Sequence, residues 1–319
     1  MARSAVEAAV GIDVGGTFTK LAAVTRTGRM RLEQKLPTDV SAGPAAFVDR
    51  VCGVIEKWKA QGLRPLGLGL GLAGDVDSKR GELRFTPNLA GWDGFPFKRA
   101  FDRRLKTRVV VDNDANAAVW GGYVGELKRQ PRAVVGVTLG TGVGGGLVLD
   151  GRLHRGATGS AGEIGHVKVA AAGEPCHCGG NGCLEAYAGS YGILRLARRL
   201  LEKSPKRGRR LLEICGGVER LEPIHLSKAA DAGDPIAQEV WLETGRRLAV
   251  GLEDLVLVLN PDVILILGGV SRAGHWLLDP IEAHLASSPF RTPFSHARVK
   301  MADDPNAGCV GAALLALEG

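Results

Sequence analysis

The chain has 319 residues, 45% of them apolar and 24% charged, a globular mix that excludes a disordered polypeptide and has room for about two domains. Its 46 glycines follow no Gly-X-Y period, so it is not collagen. The net charge of +7 equals that of one segment, residues 195–210, which holds eight basic residues and one acid. The rest is balanced, and a local basic patch gives little support to nucleic-acid binding.

About eight residues precede the first predicted strand, without the long apolar run of a signal peptide. Residues 9–24 then read as an apolar β-like run, a Gly/Thr turn and a second apolar run. Residues 133–149 repeat this pattern. Each reads as a β-hairpin opening an α/β unit, which predicts a duplicated α/β fold with a cleft between the copies. Asp13 sits in the first run, just before the turn Gly15-Gly16-Thr17. A carboxylate there is costly unless paired or bound to metal, and beside phosphates it would hold Mg²⁺ or its waters. Lys20, on the return strand, is placed to neutralise phosphate oxygens or to stand solvated.

Residues 45–60 have helical periodicity, and 66–73 read as a Gly-interrupted strand. Residues 109–111 form a short β-branched strand ending in Asp112-Asn113-Asp114-Ala115-Asn116. Asp114 thus falls just beyond a strand C-terminus, the edge where α/β sheets bind ligands. Asn113 and Asn116 offer donors and acceptors suited to a hydroxyl-rich ligand, and the same residues suit a turn that caps the helix from Ala115. Both roles can hold at once, on different residues.

In the second hairpin, Gly142-Val-Gly-Gly-Gly146 leads into a strand rather than a helix, which argues against a dinucleotide fingerprint, and no Gly-Lys-Ser/Thr follows for a P-loop. The glycines let backbone N–H groups approach an anion. A tight turn without ligand needs the same glycines, but two matched turns facing a cleft favour the ligand.

His166 precedes Cys176-His-Cys178-Gly-Gly-Asn-Gly-Cys183. Three thiols and one imidazole suit a closed, structural Zn²⁺ site. His177 could replace His166, but alternation turns it away from its neighbours, so His166 is preferred. A ring nitrogen of His166 not used by zinc is available to a substrate hydroxyl. Cys52, Cys215 and Cys309 lie among apolar residues as buried thiols, so this is not a secreted disulfide framework. Residues 184–203 and 236–259 read as helices, Asn260-Pro261-Asp262 as a stop, 263–267 as a buried strand entering Gly268-Gly269, and 307–317 as a small-residue helix. The apolar stretch 255–270 is broken at Asn260-Pro261-Asp262, so no membrane span is expected and the chain reads as cytoplasmic.

Together these residues resemble the ROK family (repressors, open reading frames and sugar kinases) of the actin-like sugar kinase superfamily. The resemblance is carried by Asp13-Val-Gly-Gly-Thr17 with Lys20, Asn113-Asp114-Ala-Asn116, Leu139-Gly-Thr-Gly-Val-Gly-Gly-Gly146, Glu163-Ile-Gly-His166 and the cysteine cluster ending in Leu184-Glu185, and it runs from about residue 9 to 317. It implies an actin-like (ribonuclease H-like) duplicated fold. Residues 1–115 with 304–319 would make the smaller domain, carrying the first phosphate turn, with the tail helix packed on it. Residues 116–303 would make the larger, with the zinc site, the second phosphate turn and the adenosine side.

By resemblance, Asp114 is the general base, and Asn88, Asn113, Asp114, Glu163, His166 and Glu185 bind the sugar, with Gly74 approaching it through its backbone. Gly15, Gly16, Thr17, Lys20, Gly140, Thr141 and Gly142 contact ATP phosphates. Gly268-Gly269, with Asn260-Pro261-Asp262, resembles the adenosine-side segment. His166, Cys176, Cys178 and Cys183 hold zinc, and Asp13 holds magnesium, through water. The implied activity is ATP-dependent phosphorylation of the glucose 6-hydroxyl, a step of glycolysis, because Thr86-Pro87-Asn88-Leu89-Ala90-Gly91-Trp92 resembles the segment of glucose-specific members. N-acetylmannosamine and N-acetylglucosamine kinases share the Glu/His/zinc constellation and stay open. The rival of another class is a non-enzymatic sugar-sensing regulator. Repressor members carry a DNA-binding module ahead of the first strand, where this sequence has too few residues. The expected partners are therefore a sugar, a nucleotide and, as implied by the family, a second copy of the chain in a homodimer or higher homo-oligomer.

Overall fold

The structure is a computed structural model that describes residues 5–86, 88–302 and 304–318. The chain divides into two compact units. One takes the chain up to Gln130, then Arg152–Gly162, then the stretch from Asp304 onward; the other takes Pro131–Gly151 and the long segment that runs from Glu163 to the start of that last stretch.

In the first unit, β1 (Val6–Val14) and β2 (Phe18–Val24) form an antiparallel hairpin across the turn Gly15-Gly16-Thr17, with Val14 opposite Thr19 and Asp13 opposite Lys20. β3 (Met30–Pro37) pairs with β2. Then come α1 (Gly43–Ala60), β4 (Leu63–Leu72), the small hairpin β5 (Asp75–Asp77) and β6 (Glu82–Phe85), α2 (Phe97–Leu105), β7 (Val109–Asn113) and α3 (Asp114–Gly125). The sheet order is β3-β2-β1-β4-β7, with β1, β4 and β7 parallel. β1 is buried continuously from Ala8 to Ile12, as a strand covered on both faces must be. Ala8, Val10, Ile12 and Val14 face a core shared with Phe47, Val51, Ile55 and Trp58 of α1.

In the second unit, β8 (Val134–Leu139) and β9 (Val143–Leu149) form a hairpin with Leu139 opposite Val143. The short strand β10 (Arg152–His154) follows in the segment that belongs to the first unit. The second unit resumes with α4 (Glu185–Ala188), α5 (Ser190–Lys203), α6 (Arg209–Cys215), α7 (Pro223–Asp231), α8 (Pro235–Leu259), β11 (Val263–Leu267), α9 (His275–Ala286), α10 (Arg291–His296) and β12 (Arg298–Met301). Its order β9-β8-β11-β12 repeats β2-β1-β4-β7, a hairpin followed by two parallel strands. The duplication legible in the two hairpins therefore extends through both sheets. α8 starts on the Asp234 side chain, which accepts the amides of Ile236 and Ala237 at 3.0 Å, and stops at Asn260 in the left-handed conformation.

The last helix, α11 (Ala307–Glu318), returns to the first unit. Small residues let it lie close: a Cβ on Gly11 of β1 would collide with the Cys309 carbonyl, and one on Gly311 with the Ala117 carbonyl of α3. That close α3–α11 packing keeps α3 with the first unit, so the break falls after Gln130 and not after residue 115, where the sequence alone had put it. Residues 184–203 are two helices rather than one. Gly189, with φ −70° and ψ 151°, separates α4 from α5, and the Thr141 carbonyl, 3.0 Å from where a Cβ would be, leaves no room for a side chain there. Among the described residues, no helix is long and apolar enough to cross a membrane.

Candidate active site and metal centre

In the first unit, β1, β4 and β7 end on one register row, Val14–Leu72–Asn113. The residues just past that row are Gly15-Gly16-Thr17, Ala73-Gly74 and Asp114, the carboxyl edge where α/β sheets present ligand-binding groups. Asp13 lies one residue inside it. Asp13 faces the start of α11: a Cβ on Gly308 would sit 2.9 Å from its Oδ2. Burial pushes its carboxyl above the usual range, and Lys20 across the hairpin pulls it partway back. Burial and the nearby Asp13 charge push the Cys309 thiol to about 12. A half-buried carboxylate at a ligand edge fits a divalent cation, whose charge would offset its loss of solvent. The Lys20 ammonium donates to the Pro305 carbonyl at 3.1 Å. The turn is braced from behind: Thr38 Oγ1 donates to the Gly15 carbonyl at 2.6 Å and meets Thr19 Oγ1 at 2.9 Å. Gly16 faces the Asn88 carbonyl, 3.0 Å from where its Cβ would be, and Thr17 is exposed.

Gly74 has φ 133°, and a Cβ there would stand 2.5 Å from the Phe85 carbonyl, so only glycine fits. Thr86 ties this loop to the next segment: its hydroxyl donates to the Ala73 carbonyl at 2.7 Å and accepts the Asn88 amide at 3.3 Å. Leu89 and Trp92 anchor that segment in the core and leave Asn88 exposed. Trp92 Nε1 donates to the Val40 carbonyl at 3.2 Å. Pro87, within the glucose-like motif, lies outside the described residues.

Asn113 caps α3. Its Oδ1 accepts the amides of Ala115 and Asn116 at 2.9 and 3.0 Å, and its Nδ2 donates to the Gly74 carbonyl at 3.0 Å. The helix begins at Asp114 itself, one residue ahead of the start at Ala115 that the sequence pattern suggests. Asn116 is buried, with Nδ2 on Asp112 Oδ1 at 3.0 Å, and turns inward rather than to a ligand. Asp114, the first helical residue, is half-buried and accepts the Ala115 amide at 2.9 Å.

The second unit gathers the remaining groups. The turn Gly140-Thr141-Gly142 is pinned by α5: the Ser190 amide and hydroxyl donate to the Gly140 carbonyl at 3.0 and 2.7 Å. Glu185 Oε2 accepts the Val143 amide at 3.1 Å and occupies the space a Gly142 side chain would need. Glu163 and His166 bracket a single 3₁₀ turn, Ile164–His166, whose Gly165 lies against the Val143 carbonyl. Gly268 and Gly269 follow the C-terminus of β11, where Gly268 (φ 98°) abuts Leu139 at the end of β8. Asn260-Pro261-Asp262 stands at the opposite end of that five-residue strand, roughly 17 Å away. Its role is structural: Asp262 Oδ2 accepts the amides of Arg132 and Ala133 at 2.8 and 2.9 Å. Only Gly268-Gly269 of that segment reaches the turn.

His166, Cys176, Cys178 and Cys183 put one ligand atom each within 4.8 Å of one another. Cys178 and Cys183 sulfurs are 3.7 Å apart and Cys176 Sγ lies 3.9 Å from His166 Nδ1; a tetrahedron with Zn–S bonds of about 2.3 Å sets sulfurs about 3.7 Å apart. The donor set therefore fits zinc. His177 stacks on Tyr191 instead, ring centroids 4.0 Å apart. With Nδ1 toward the sulfurs, His166 Nε2 faces Glu163 Oε2 at 4.0 Å. Lys168 Nζ donates to Cys183 Sγ at 3.0 Å, and that bond holds the ammonium above its ordinary pKa. Cys52, Cys215 and Cys309 are buried free thiols.

Sequence reasoning passed over Thr38, Thr86, Asp112, Arg155 and Ser190, which position these groups. For Ser190 the signal was present, a hydroxyl directly after a helix-breaking glycine; the others are paired through long-range contacts.

The ROK family model matches residues 9–319. A glucokinase of Streptomyces coelicolor is 35% identical over 314 residues, 97% of each chain. An N-acetylmannosamine kinase of Escherichia coli is 30% identical over 310 residues, 96% of this chain and 97% of that one. The crystal structure of a ROK family glucokinase from Streptomyces griseus in complex with glucose and AMPPNP superposes with a TM-score of 0.86 at 36% identity, covering 98% of this chain and 100% of that one. The fold is thus that of ROK sugar kinases, the actin-like fold, and the chain belongs to the ROK family.

Proposed function

We propose that this protein is a sugar kinase that transfers the terminal phosphoryl group of ATP to the 6-hydroxyl of glucose, with Asp114 as general base. The observation that carries the reading is the register row Val14–Leu72–Asn113, which sets the Gly15-Gly16-Thr17 turn, the Gly74 loop and Asp114 on one sheet edge. It is supported by the likeness to a glucokinase solved with glucose and AMPPNP.

Phosphoryl transfer needs positioning and charge neutralisation more than covalent help. Backbone amides of Gly15–Thr17 and Gly140–Gly142 hold phosphate oxygens, joined by Lys20. Gly268-Gly269 lines the adenosine side. Asn88, Asn113, Glu163, His166 and Glu185 fix the sugar by its hydroxyls. Asp114 orients the attacking hydroxyl and accepts its proton as the new P–O bond forms. Asp13 is the residue to hold Mg²⁺, through water; when bound, that ion offsets phosphate charge. His166, Cys176, Cys178 and Cys183 would hold a structural zinc with all four of its positions on protein, which would stiffen the loop that carries Glu163, His166 and Glu185.

A coupled assay of ADP release over a panel of hexoses and N-acetylhexosamines tests this. Glucose should give the highest kcat/KM. A preference for N-acetylmannosamine, favoured by the relative of that activity, would replace the substrate assignment. Sugar binding with no sugar-dependent ADP release would make the protein a sensor.

A further inference from the structure

Asp112 has no part in the mechanism above, yet it is among the most heavily engaged side chains in the first unit. It is 2% exposed, and a buried carboxylate is tolerable only when paired and hydrogen-bonded. Its Oδ2 accepts Arg155 Nε at 2.7 Å and Nη2 at 2.6 Å. Its Oδ1 accepts the Asn113 amide at 2.9 Å and Asn116 Nδ2 at 3.0 Å. The last two partners flank Asp114 on the first turn of α3. Asn116 Oδ1 has no hydrogen-bond partner among the described residues. A flip of that amide would aim its oxygen at the Asp112 carboxylate, so the Asp112 charge sets its orientation.

Arg155 comes from Arg152–Gly162, which belongs to the unit that carries Asp114. The segment has a second anchor there. Arg84 Nη2 donates to the Thr158 carbonyl at 2.7 Å, and Ser160 Oγ donates to Asp75 Oδ1 at 2.7 Å. Asp75 in turn pairs with Arg84 at 3.0 Å. The segment is thus held at Arg155 and again at Thr158 and Ser160, and Glu163 is the next residue after it.

We propose that Arg155 is a positioning residue for Asp114, acting through Asp112. Its guanidinium is the charged partner of the buried Asp112 side chain, and Asp112 in turn holds Asn113 and Asn116, and with them the start of α3. Without Arg155 the buried Asp112 side chain loses its charged partner and must draw in water or turn to other donors. Either change disturbs the bonds that Oδ1 accepts from Asn113 and Asn116 and lets the first helical turn shift. A displacement of about 1 Å at a reacting group lowers turnover about 100-fold. The proposal rests on the reading of Asp114 as the base.

The test is steady-state kinetics on the full chain with Arg155→Met, which keeps the stem and removes the charge, beside the double variant Asp112→Asn/Arg155→Met, which leaves no buried charge. For the single variant we expect kcat to fall about 100-fold, with KM for sugar and ATP within about threefold of wild type. For the double variant we expect kcat to return to within about tenfold of wild type, because the amide oxygen that replaces the Asp112 carboxylate still accepts the Asn113 amide. If Arg155→Met does not fold, Arg155→Lys replaces it, and an intermediate kcat with unchanged KM supports the proposal. Wild-type kcat in the single charge-removing or lysine variant would overturn it, as would a double variant no faster than Arg155→Met. Asp114→Asn is measured alongside. Wild-type turnover there defeats the base assignment, whereas a slow Asp114→Asn with a fast Arg155→Met defeats only the role of Arg155.

Discussion

Glu185 and Val143 are 42 residues apart in sequence, yet the Glu185 carboxylate accepts the Val143 amide at 3.1 Å. The other carboxylate oxygen lies 3.6 Å from Cys176 Sγ and 3.5 Å from the Tyr191 hydroxyl. One side chain thus joins the Gly140–Gly142 turn to the cysteine–histidine cluster.

Glu185→Ala removes that link and leaves the Val143 amide without its acceptor. A half-buried donor left unpaired costs about 1–3 kcal/mol. We expect KM for ATP to rise about tenfold and zinc to be lost more readily to a chelator. Initial-rate kinetics and a chelator time course check both. A KM for ATP equal to wild type would show that the turn holds its shape without Glu185.

Elemental analysis of the purified chain should find one zinc per chain. Of the clustered thiols, Cys178 is exposed while Cys176 and Cys183 are buried. A thiol reagent should therefore leave Cys178 largely unreacted while zinc is bound and label it after chelation. Rapid labelling of Cys178 in the zinc-replete protein would mean that its sulfur is not a ligand.

Asp13→Asn should trade function for stability. Burial raises the Asp13 carboxyl above its ordinary value. A carboxyl raised on folding favours the fold when protonated; that contribution is present at acid pH and is lost as pH rises through the folded value. Near pH 7 the carboxyl therefore costs the folded state more than a neutral amide of the same shape would. The variant should melt at a higher temperature than wild type at about pH 7, the gap closing toward about pH 4, while activity with Mg²⁺ falls. A variant that melts lower at neutral pH would indicate that the Lys20 pair outweighs burial.

Much of this arrangement was legible in the sequence, and for identifiable reasons. The two hairpins announce themselves because their turns need glycine and their strands are apolar, and both sheets grow from them in the same order. The cysteine cluster is compact in sequence, so spacing alone brings its ligands together. What could not be read is long-range pairing. Nothing near Asp112 announces an arginine 43 residues on. Nor does local pattern reveal that α11 needs Gly11 and Gly311 to approach β1 and α3. The helical periodicity of 184–203 continues across Gly189, and nothing in it announces that this residue lies against the Thr141 carbonyl. Asn260-Pro261-Asp262 was grouped with Gly268-Gly269 by resemblance to the adenosine-side segment, but the five-residue strand between them sets the two at opposite ends.

Trp92→Ala tests how the glucose-like segment is held. Trp92 is fully buried against Phe47 and Phe97, with ring centroids 5.0 and 5.7 Å away. Truncation of a core tryptophan costs about 3–5 kcal/mol. Denaturant melts should show that loss, and KM for the sugar should rise because Asn88 loses its anchor. A sugar KM unchanged in a destabilised but folded variant would remove Asn88 from the sugar contacts.

The most direct measurement is single-turnover and steady-state phosphorylation of glucose by Asp114→Asn, with sugar affinity measured separately by calorimetry. The substitution keeps the Asp114 shape and its place at the head of α3. The expected result is unchanged glucose affinity with turnover about 100- to 10,000-fold slower, the range of a lost general base. Turnover within a few-fold of wild type would contradict the assignment of Asp114 and, with it, the mechanism built on that sheet edge.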